Sequence, residues 1–361
     1  MSYKVCVYAI CKNEIKHVDR WMASMKEADE IYVLDTGSDD GTPERLQALG
    51  AHVVRRTLIP WRFDDARNAS LALVPQDADI CVCTDLDEVF DSGWRFRLEL
   101  FWAPDTTCAR YRYVWNTLED GTEGIVFMRN NIHTRENFVW KSPVHEHIEY
   151  TGDSPNEILL QGVCLRHYPD VSKSRAQYLP LLELSAAEEP DNDRNIHYLG
   201  REYFFAGLWD KCIATLTRHL QMPQAEWADE RCASMRYIGR AYAEKGDFLQ
   251  AELWTMKAVC EAPYLREPYI DAARVMYRQK NWDGVVFFIN EALKINYRPD
   301  TYLYDPVSWG SLPYDLISVA YYYTGRYLEA LEASDKAVGL NKDDPRLVEN
   351  NRLIRAKTEN A

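Results

Sequence analysis

The sequence predicts two structural classes in one chain: an α/β domain with a Rossmann-like, mostly parallel sheet, followed by an all-α domain of helical repeats. Two observations predict this division. Apolar, β-prone runs alternate with helical patterns over roughly the first quarter of the chain, which is typical of βαβ units. From about residue 173 helical periodicity takes over, with a recurring turn followed by an aromatic residue. We therefore predict domains at 1–171 and 172–361.

The α/β prediction depends on short apolar runs of Val, Ile, Leu and Cys separated by turn or helical patterns. The predicted elements, in chain order, are a strand at 5–11, a helix ending at Met25, strands at 31–34 and 51–54, a helix at 67–74 and a strand at 80–84. Residues 36–42, Thr-Gly-Ser-Asp-Asp-Gly-Thr, have the composition of a turn. Connected strands and helices in this order favour a mostly parallel sheet.

The most informative segment is Asp85-Leu86-Asp87-Glu88, which directly follows the apolar run at 80–84. Open α/β sheets bind ligands at the carboxyl ends of their strands. Divalent cations such as Mg²⁺ are held there by one or two carboxylates together with substrate phosphates. The chain has two other Asp-x-Asp triplets, at 77–79 and 191–193, and neither follows such a run. This position therefore predicts a metal-assisted diphosphate site at residues 85–88.

Residues 5 to about 168 resemble inverting glycosyltransferases of family 2, which have the GT-A fold. The resemblance depends on five segments in family order. They are Ile-Cys-Lys-Asn-Glu at 10–14, Val-Leu-Asp-Thr-Gly-Ser-Asp-Asp-Gly-Thr at 33–42, Asp-Asp-Ala-Arg-Asn at 64–68, Asp-Leu-Asp-Glu at 85–88 and Val-His-Glu at 144–146. Together these segments are specific, whereas only the one at 33–42 is specific alone.

The resemblance implies a transferase of the hexosyltransferase type that uses a nucleoside-diphosphate sugar, with UDP favoured, and Mn²⁺ or Mg²⁺. The implied metal ligands are Asp87, with His167 and then His145 as further candidates. The implied donor contacts are Asp35, Asn13, Glu14, Arg67, Asp85 and Leu86. Glu146 is the implied catalytic base.

Each implied role has a structural alternative. Asp35 is also compatible with an Asx turn, Arg67 with an exposed helix face, and Glu146 with a surface carboxylate. Asp91 and Asp170 are weaker candidates for the base. Sugars often stack on aromatic rings, and Trp140 is the tryptophan that we expect near the acceptor.

The C-terminal half contains a repeat whose turns are each followed by an aromatic residue, at Trp209, Phe248, Trp282 and Tyr327. The spacings resemble those of tetratricopeptide (TPR) repeats, with insertions near 222–224 and 298–313. Small residues follow each aromatic and are expected to pack two antiparallel helices together. They are Ala214, Ala251, Ala258, Ala292, Ala330 and Ala337. Such arrays bind peptides or form dimers.

Composition limits the partners. The 361 residues carry a formal net charge of −14, which disfavours a nucleic-acid acceptor. The nine cysteines lie mostly in apolar runs and predict a reduced, cytoplasmic protein without a membrane span.

Two classes of function stay open. The first is a metal-dependent transferase that acts on a peptide or protein side chain, with a surface glycan or a nucleic acid as the alternative acceptor and a homodimer through the repeats as an option. The second is a helical-repeat scaffold or peptide-binding protein whose N-terminal domain is inactive. Asp87 and Arg67, which an inactive domain is expected to lose, are both present.

Overall fold

The computed structural model describes residues 3–117, 121–170 and 178–359. The chain forms two compact units, Met1–Ser185 with Asp300–Tyr302 and Ala186–Pro299 with Leu303–Ala361. The predicted domain boundary between residues 171 and 172 lies outside the described residues and stays a prediction.

The first unit contains ten strands and four helices that precede the segment at 171–177. The strands are β1 (Val5–Cys11), β2 (Glu30–Asp35), β3 (His52–Arg55), β4 (Ile80–Cys83), β5 (Glu88–Phe90), β6 (Cys108–Val114), β7 (Val126–Thr134), β8 (Phe138–Lys141), β9 (His147–Tyr150) and β10 (Glu157–His167). The helices are α1 (Ile15–Met25), α2 (Thr42–Ala48), α3 (Phe63–Leu71) and α4 (Trp94–Phe101). The predicted strands are confirmed, and α3 begins four residues earlier than predicted.

Eight of the strands form one sheet in the order β3-β2-β1-β4-β7-β6-β10-β5, and β8 pairs with β9. The pairs β3-β2, β2-β1, β1-β4 and β6-β10 are parallel. The pairs β4-β7, β7-β6 and β10-β5 are antiparallel. The sheet is therefore mostly parallel, as predicted, and its parallel half ends at β4. All seven residues of β1 are buried, which explains its continuous apolar sequence.

His133 on β7 is a fully buried histidine whose hydrogen bonds fix it as neutral. Its Nδ1–H donates to the Thr134 carbonyl at 2.7 Å, and its Nε2 accepts from the Tyr8 hydroxyl at 2.8 Å. Burial lowers the pKa of His133 to about 4. Below about pH 6.5 His133 is protonated in the unfolded chain, whereas in the folded chain it stays neutral down to about pH 4. The folded state therefore loses stability as the pH falls across this window.

We expect the free energy of unfolding of this unit to fall by about 3 kcal/mol between about pH 6.5 and about pH 4 on account of His133. The measurement is hydrogen exchange of β4 and β7 amides from about pH 7 to about pH 5 in wild type and in His133→Gln, which has no titrating ring. The difference between the two pH slopes isolates His133 from the carboxylates. Equal slopes would show that the ring is not held neutral.

The second unit is all helical and consists of antiparallel helix pairs. Helix α5 (Tyr178–Glu188) begins in the first unit and ends in the second. The helices that follow are α6 (Asp193–Phe205), α7 (Trp209–Gln221), α8 (Ala228–Glu244), α9 (Phe248–Glu261), α10 (Glu267–Arg278), α11 (Trp282–Lys294), α12 (Leu312–Tyr323), α13 (Tyr327–Leu340) and α14 (Pro345–Glu359). A short 3-10 helix, Pro306–Ser308, lies in the longest connection. In the part of the chain that the structure describes, no helix is long and apolar enough to cross a bilayer.

The predicted repeat is confirmed. Its four aromatic residues are the first residues of α7, α9, α11 and α13, the second helix of each pair. Ten residues after the aromatic, Ala258, Ala292 and Ala337 are at most 1 % exposed, so these alanines allow the paired helices to approach closely. Ala214 is exposed, and the prediction that it packs between helices is wrong because it lies five residues after the aromatic, on the outer face of α7.

The turn between the two helices of each pair needs one residue with positive φ. Glycine occupies this position in three of the four pairs, and Lys280, with φ 58°, occupies it between α10 and α11. A side chain in this region costs about 1 kcal/mol relative to glycine. At Gly246, φ is 79° and an added Cβ would have no atom within 4 Å, so a substitution there tests the backbone alone.

We therefore expect Lys280→Gly to raise the free energy of unfolding by about 1 kcal/mol and Gly246→Ala to lower it by a similar amount. Urea unfolding followed by helical circular dichroism measures both. A destabilised Lys280→Gly variant would show that the lysine side chain contributes more than its backbone strain costs.

Candidate active site

The loops that follow β1 and β2 are joined by hydrogen bonds between the two sequence motifs at 10–14 and 33–42. Asn13 is the central link: its N–H donates to Ser38 Oγ at 2.8 Å, and its Oδ1 accepts from the Asp39 N–H at 2.9 Å. The Glu14 N–H donates to Thr42 Oγ1 at 2.8 Å. Asn13 has φ 57°, a left-handed conformation that asparagine tolerates better than most residues. The motif residues thus build one rigid rim at the carboxyl ends of two neighbouring parallel strands.

Asp35 ends β2 and lies fully buried beneath this rim. Its Oδ1 accepts from the N–H groups of Gly37 and Ser38, each at 3.0 Å. These are the contacts of the Asx turn that the sequence left open as an alternative. The predicted donor contact of Asp35 stays a prediction.

The Asp85-Leu86-Asp87 turn follows β4 and is fixed by Glu88, which is 1 % exposed. Glu88 Oε2 accepts from the Asp85 N–H at 2.8 Å, and Oε1 accepts from the Tyr113 hydroxyl at 2.7 Å and from Arg129. Burial raises the pKa of Glu88 despite the Arg129 charge. The Leu86 side chain is 1 % exposed in the core, so a donor contact from Leu86 would have to come from its main chain.

Asp87 and His167 face each other across the β5-β10 edge of the sheet. Asp87 Oδ2 lies 3.3 Å from His167 Nε2, and the Asp87 carbonyl accepts from the Tyr168 N–H at 2.8 Å. His167 Nδ1 donates to the Trp115 carbonyl at 2.9 Å, which leaves Nε2 as the nitrogen that faces Asp87. Burial opposes a charge on this ring, but the Asp87 carboxylate outweighs it and raises the pKa of His167.

Arg67 lies on α3, is 3 % exposed and joins two of the predicted site carboxylates. Its Nη2 is 2.7 Å from Asp85 Oδ1 and 3.1 Å from Glu146 Oε1. Its Nε donates to the same Glu146 oxygen at 3.1 Å, and its Nη1 contacts Cys83 Sγ at 3.6 Å. Burial favours the neutral form of Asp85, but the Arg67 and Arg129 charges hold the pKa of Asp85 below its usual value. The exposed-helix alternative for Arg67 is wrong.

Trp140 is buried at 2 % exposure, so its ring has no open face for a sugar, and the expectation that it lies near the acceptor stays a prediction. Its Nε1–H donates to the Tyr8 hydroxyl at 2.9 Å, and the Arg67 guanidinium lies 5.5 Å from its ring. Trp115 is an exposed aromatic residue beside His167: it is 44 % exposed, and its ring centroid is 4.5 Å from that of His167.

The rings of His145 and Tyr178 are neighbours, with their centroids 6.0 Å apart. The role of His145 as a metal ligand stays a prediction. The structure gives partners to the two weaker candidates for the base. Asp91 Oδ1 pairs with Arg166 Nε at 2.9 Å, and Asp170 pairs with Lys16.

Arg129 and Tyr113 are the site residues that the sequence did not reveal. They lie on β7 and β6, at 41 and 25 residues from the Glu88 carboxylate that they support, in runs without a recognisable pattern. A single sequence carries no signal for such residues, because their role depends on the antiparallel pairing of β6 with β7.

The comparisons with known proteins address both units. Residues 6–150 match the sequence model described as glycosyl transferase family 2, a range that holds every motif named above and stops before His167. No curated protein matches the chain.

Several solved structures are similar to about half of this chain. The Cut9-Hcn1 hetero-tetramer of APC/C is 12 % identical over 51 % of this chain and 33 % of that one, with a TM-score of 0.43. YrrB, a TPR protein with an unusual peptide-binding site, is 12 % identical over 49 % of this chain and 82 % of its own, with a TM-score of 0.38. A thermophilic TPR protein of Thermus thermophilus is 17 % identical over 49 % of this chain and 89 % of its own, also with a TM-score of 0.38.

Proposed function

We propose that this chain transfers a sugar from a nucleoside-diphosphate sugar to an acceptor, because residues 6–150 match the sequence model of glycosyl transferase family 2, whose members transfer sugars. The observation that carries the proposal is the pair formed by Asp87 Oδ2 and His167 Nε2, 3.3 Å apart, beside the Asp85–Arg67–Glu146 cluster. The site then offers two candidate metal ligands, the positively charged guanidinium of Arg67 and a candidate base, Glu146.

The residues at this edge fit a divalent cation. A carboxylate oxygen and an imidazole nitrogen at this separation are spaced as two ligands of one ion. The bond from His167 Nδ1 to the Trp115 carbonyl is the kind of support that orients metal-bound histidines. An oxygen ligand with one nitrogen suits Mn²⁺, and Mg²⁺ with water ligands is the alternative. The cation, when bound, neutralises the charge that develops on the departing diphosphate.

Arg67 acts chiefly by positioning. Its three guanidinium nitrogens contact Asp85, Glu146 and Cys83, so a direct bond to the diphosphate, its predicted role, requires one of these contacts to be exchanged. As it stands, the buried guanidinium lies between the Asp85 and Glu146 carboxylates and fixes both in place. Asp85 is then directed towards the ribose or a metal-bound water.

Glu146 is the proposed general base, and the reaction proceeds with inversion. A carboxylate on the acceptor side removes the hydroxyl or thiol proton as the acceptor attacks the anomeric carbon, and the diphosphate leaves from the opposite face. The Arg67 bonds fix Glu146 in one orientation, which favours proton transfer along one direction. Trp115, exposed beside His167, offers an aromatic face for the sugar.

The helical repeats supply the proposed acceptor specificity. Helical-repeat arrays bind extended chains, which favours a peptide or protein side chain as acceptor; a glycan is the alternative, and the charge of −14 disfavours nucleic acid. A homodimer through the repeats and a cytoplasmic location remain predictions.

A donor screen tests the function. The protein is incubated with Mn²⁺ and a panel of UDP-, GDP- and dTDP-sugars, and both binding and slow donor hydrolysis are recorded. We expect one donor, most simply a UDP-sugar, to be bound and hydrolysed. Binding to none of the donors, with or without metal, would overturn the proposal in favour of an inactive scaffold.

A further inference from the structure

Three ionisable side chains meet where the first helix pair of the repeat domain packs against α8. His197 lies on α6, His219 on α7 and Glu230 on α8. The two histidines are fully buried and Glu230 is 5 % exposed. One nitrogen of each ring and one carboxylate oxygen all lie within 4.8 Å of one another. Buried groups of this kind are retained where they are paired or bind a metal.

The repeat pattern makes His219 exceptional. It lies ten residues after Trp209, at the position that Ala258, Ala292 and Ala337 occupy in the other three repeats. A small residue at this position lets the paired helices approach, so a histidine here departs from the packing rule of the array. The departure points to a role for the imidazole other than packing.

Ser234 on α8 links the two rings and fixes their tautomers. Its Oγ lies 2.8 Å from His197 Nδ1 and 3.0 Å from His219 Nδ1. His219 Nε2 lies 3.2 Å from Glu230 Oε1 and has to donate to it, because an ionised carboxylate only accepts. His219 Nδ1 therefore accepts from the Ser234 hydroxyl, and Ser234 Oγ accepts from His197 Nδ1–H.

This chain of hydrogen bonds leaves His197 Nε2 with a bare lone pair. Among the described residues the atom is buried without a hydrogen-bond partner. Burial lowers the pKa of His197 to about 3, so the lone pair stays unprotonated near neutral pH. A buried lone pair beside an imidazole and a carboxylate is an arrangement that a cation completes.

We propose that His197 Nε2, His219 Nε2 and the Glu230 carboxylate bind a divalent cation of the zinc class, with water as the fourth ligand. Two ligands at the usual zinc distances are about 3.3 Å apart in a tetrahedral site, close to the 3.2 Å between His219 Nε2 and Glu230 Oε1. Two histidines, one glutamate and water form a known zinc ligand set.

The three side chains release no proton when the cation binds. On binding, the proton of His219 moves from Nε2 to Nδ1, and both Nδ1–H groups donate to Ser234 Oγ. The hydroxyl proton stays on Oγ and turns towards a main-chain carbonyl of α8, as serines in helices do. Ser234 thereby becomes the shared acceptor that orients both metal ligands.

The cation would join α6, α7 and α8 and so fix the first repeat of the array. This role is structural, involves none of the residues of the donor site and does not depend on the proposed function. It predicts that zinc stabilises the protein whether or not a sugar is transferred.

The test uses the full chain without an affinity tag, in the Asp87→Asn background so that the donor site does not contribute. The protein is stripped with a chelator and exchanged into Zn²⁺ or Co²⁺. We expect about one zinc per chain after gel filtration, a tetrahedral Co²⁺ absorption spectrum, and a thermal midpoint that rises by about 5–10 °C at roughly 100-fold excess over Kd.

His219→Gln is the informative variant, because its amide keeps a donor towards Glu230 while removing the ligand. We expect it to lose the zinc and the thermal shift. His52→Gln, an exposed histidine on β3, is the matched control and should lose neither. No zinc uptake and no tetrahedral Co²⁺ spectrum in the parent protein would overturn the proposal without reference to any variant. Equal zinc content in folded His219→Gln would overturn it as well.

Discussion

Asp87→Asn is expected to lower sugar transfer by on the order of 10³-fold and to abolish the dependence of donor binding on Mn²⁺. The amide keeps the size of the carboxylate but removes the charge that a divalent cation requires. It also leaves His167 Nε2, 3.3 Å away, facing a neutral group. The fold should not change, because the Asp87 side chain is 18 % exposed and its main-chain bond to Tyr168 is kept.

The chain offers a matched control in another Asp-x-Asp triplet. Asp77 has 73 % of its side chain exposed and pairs with Lys4 on the surface of the same unit. Asp77→Asn makes the same chemical change away from the site and should leave transfer within about twofold, because exposed ion pairs contribute little. Transfer rates and Mn²⁺ titrations of both variants, with thermal unfolding, are the measurement. Full activity in Asp87→Asn would refute the metal assignment.

Glu146→Gln is expected to lower transfer by about 10²–10⁴-fold while donor binding changes by less than about threefold. The glutamine oxygen still accepts from Arg67 Nε, so the cluster keeps its geometry, but the group no longer removes a proton. Raising the pH should restore little activity, since the missing group is the base itself.

Glu149→Gln is the control for this variant, because Glu149 is exposed on β9 only three residues further along the chain. Single-turnover transfer measures the chemical step, and donor titration measures binding. A Glu146→Gln enzyme that transfers at the wild-type rate would move the base to another residue. Loss of donor binding together with transfer would instead make Glu146 a structural partner of Arg67.

The sequence predicted those parts of the fold that depend on local pattern. Strand β1 is a continuous apolar run because both of its faces are covered, one of them by α1 and the other by α3. The aromatic residues of the repeat begin the second helix of each pair because they follow the turn directly. The motif at 33–42 also follows local rules, since its short polar side chains make the turn and link it to Asn13.

What the sequence did not predict depends on contacts between distant residues. Arg129 and Tyr113 hold Glu88 only because β6 and β7 pair next to β4. Trp140 was expected at the acceptor, whereas its indole N–H reaches Tyr8 in the core. His219 was hidden for the same reason: a periodicity that marks a position as buried does not show which buried groups from other helices it meets.

The pairing of β5 with β10 determines how early in folding the proposed donor site can assemble. Asp87 emerges from the ribosome 80 residues before His167. Strand β5, which follows Asp87, has no partner strand in the sheet until β10 has been synthesised. Closing so long a stretch of chain is entropically slow, so the site forms late in the folding of its domain. A nascent or prematurely terminated chain can therefore carry the whole motif at residues 85–88 and still lack the pairing of Asp87 with His167 on which the proposed donor site depends.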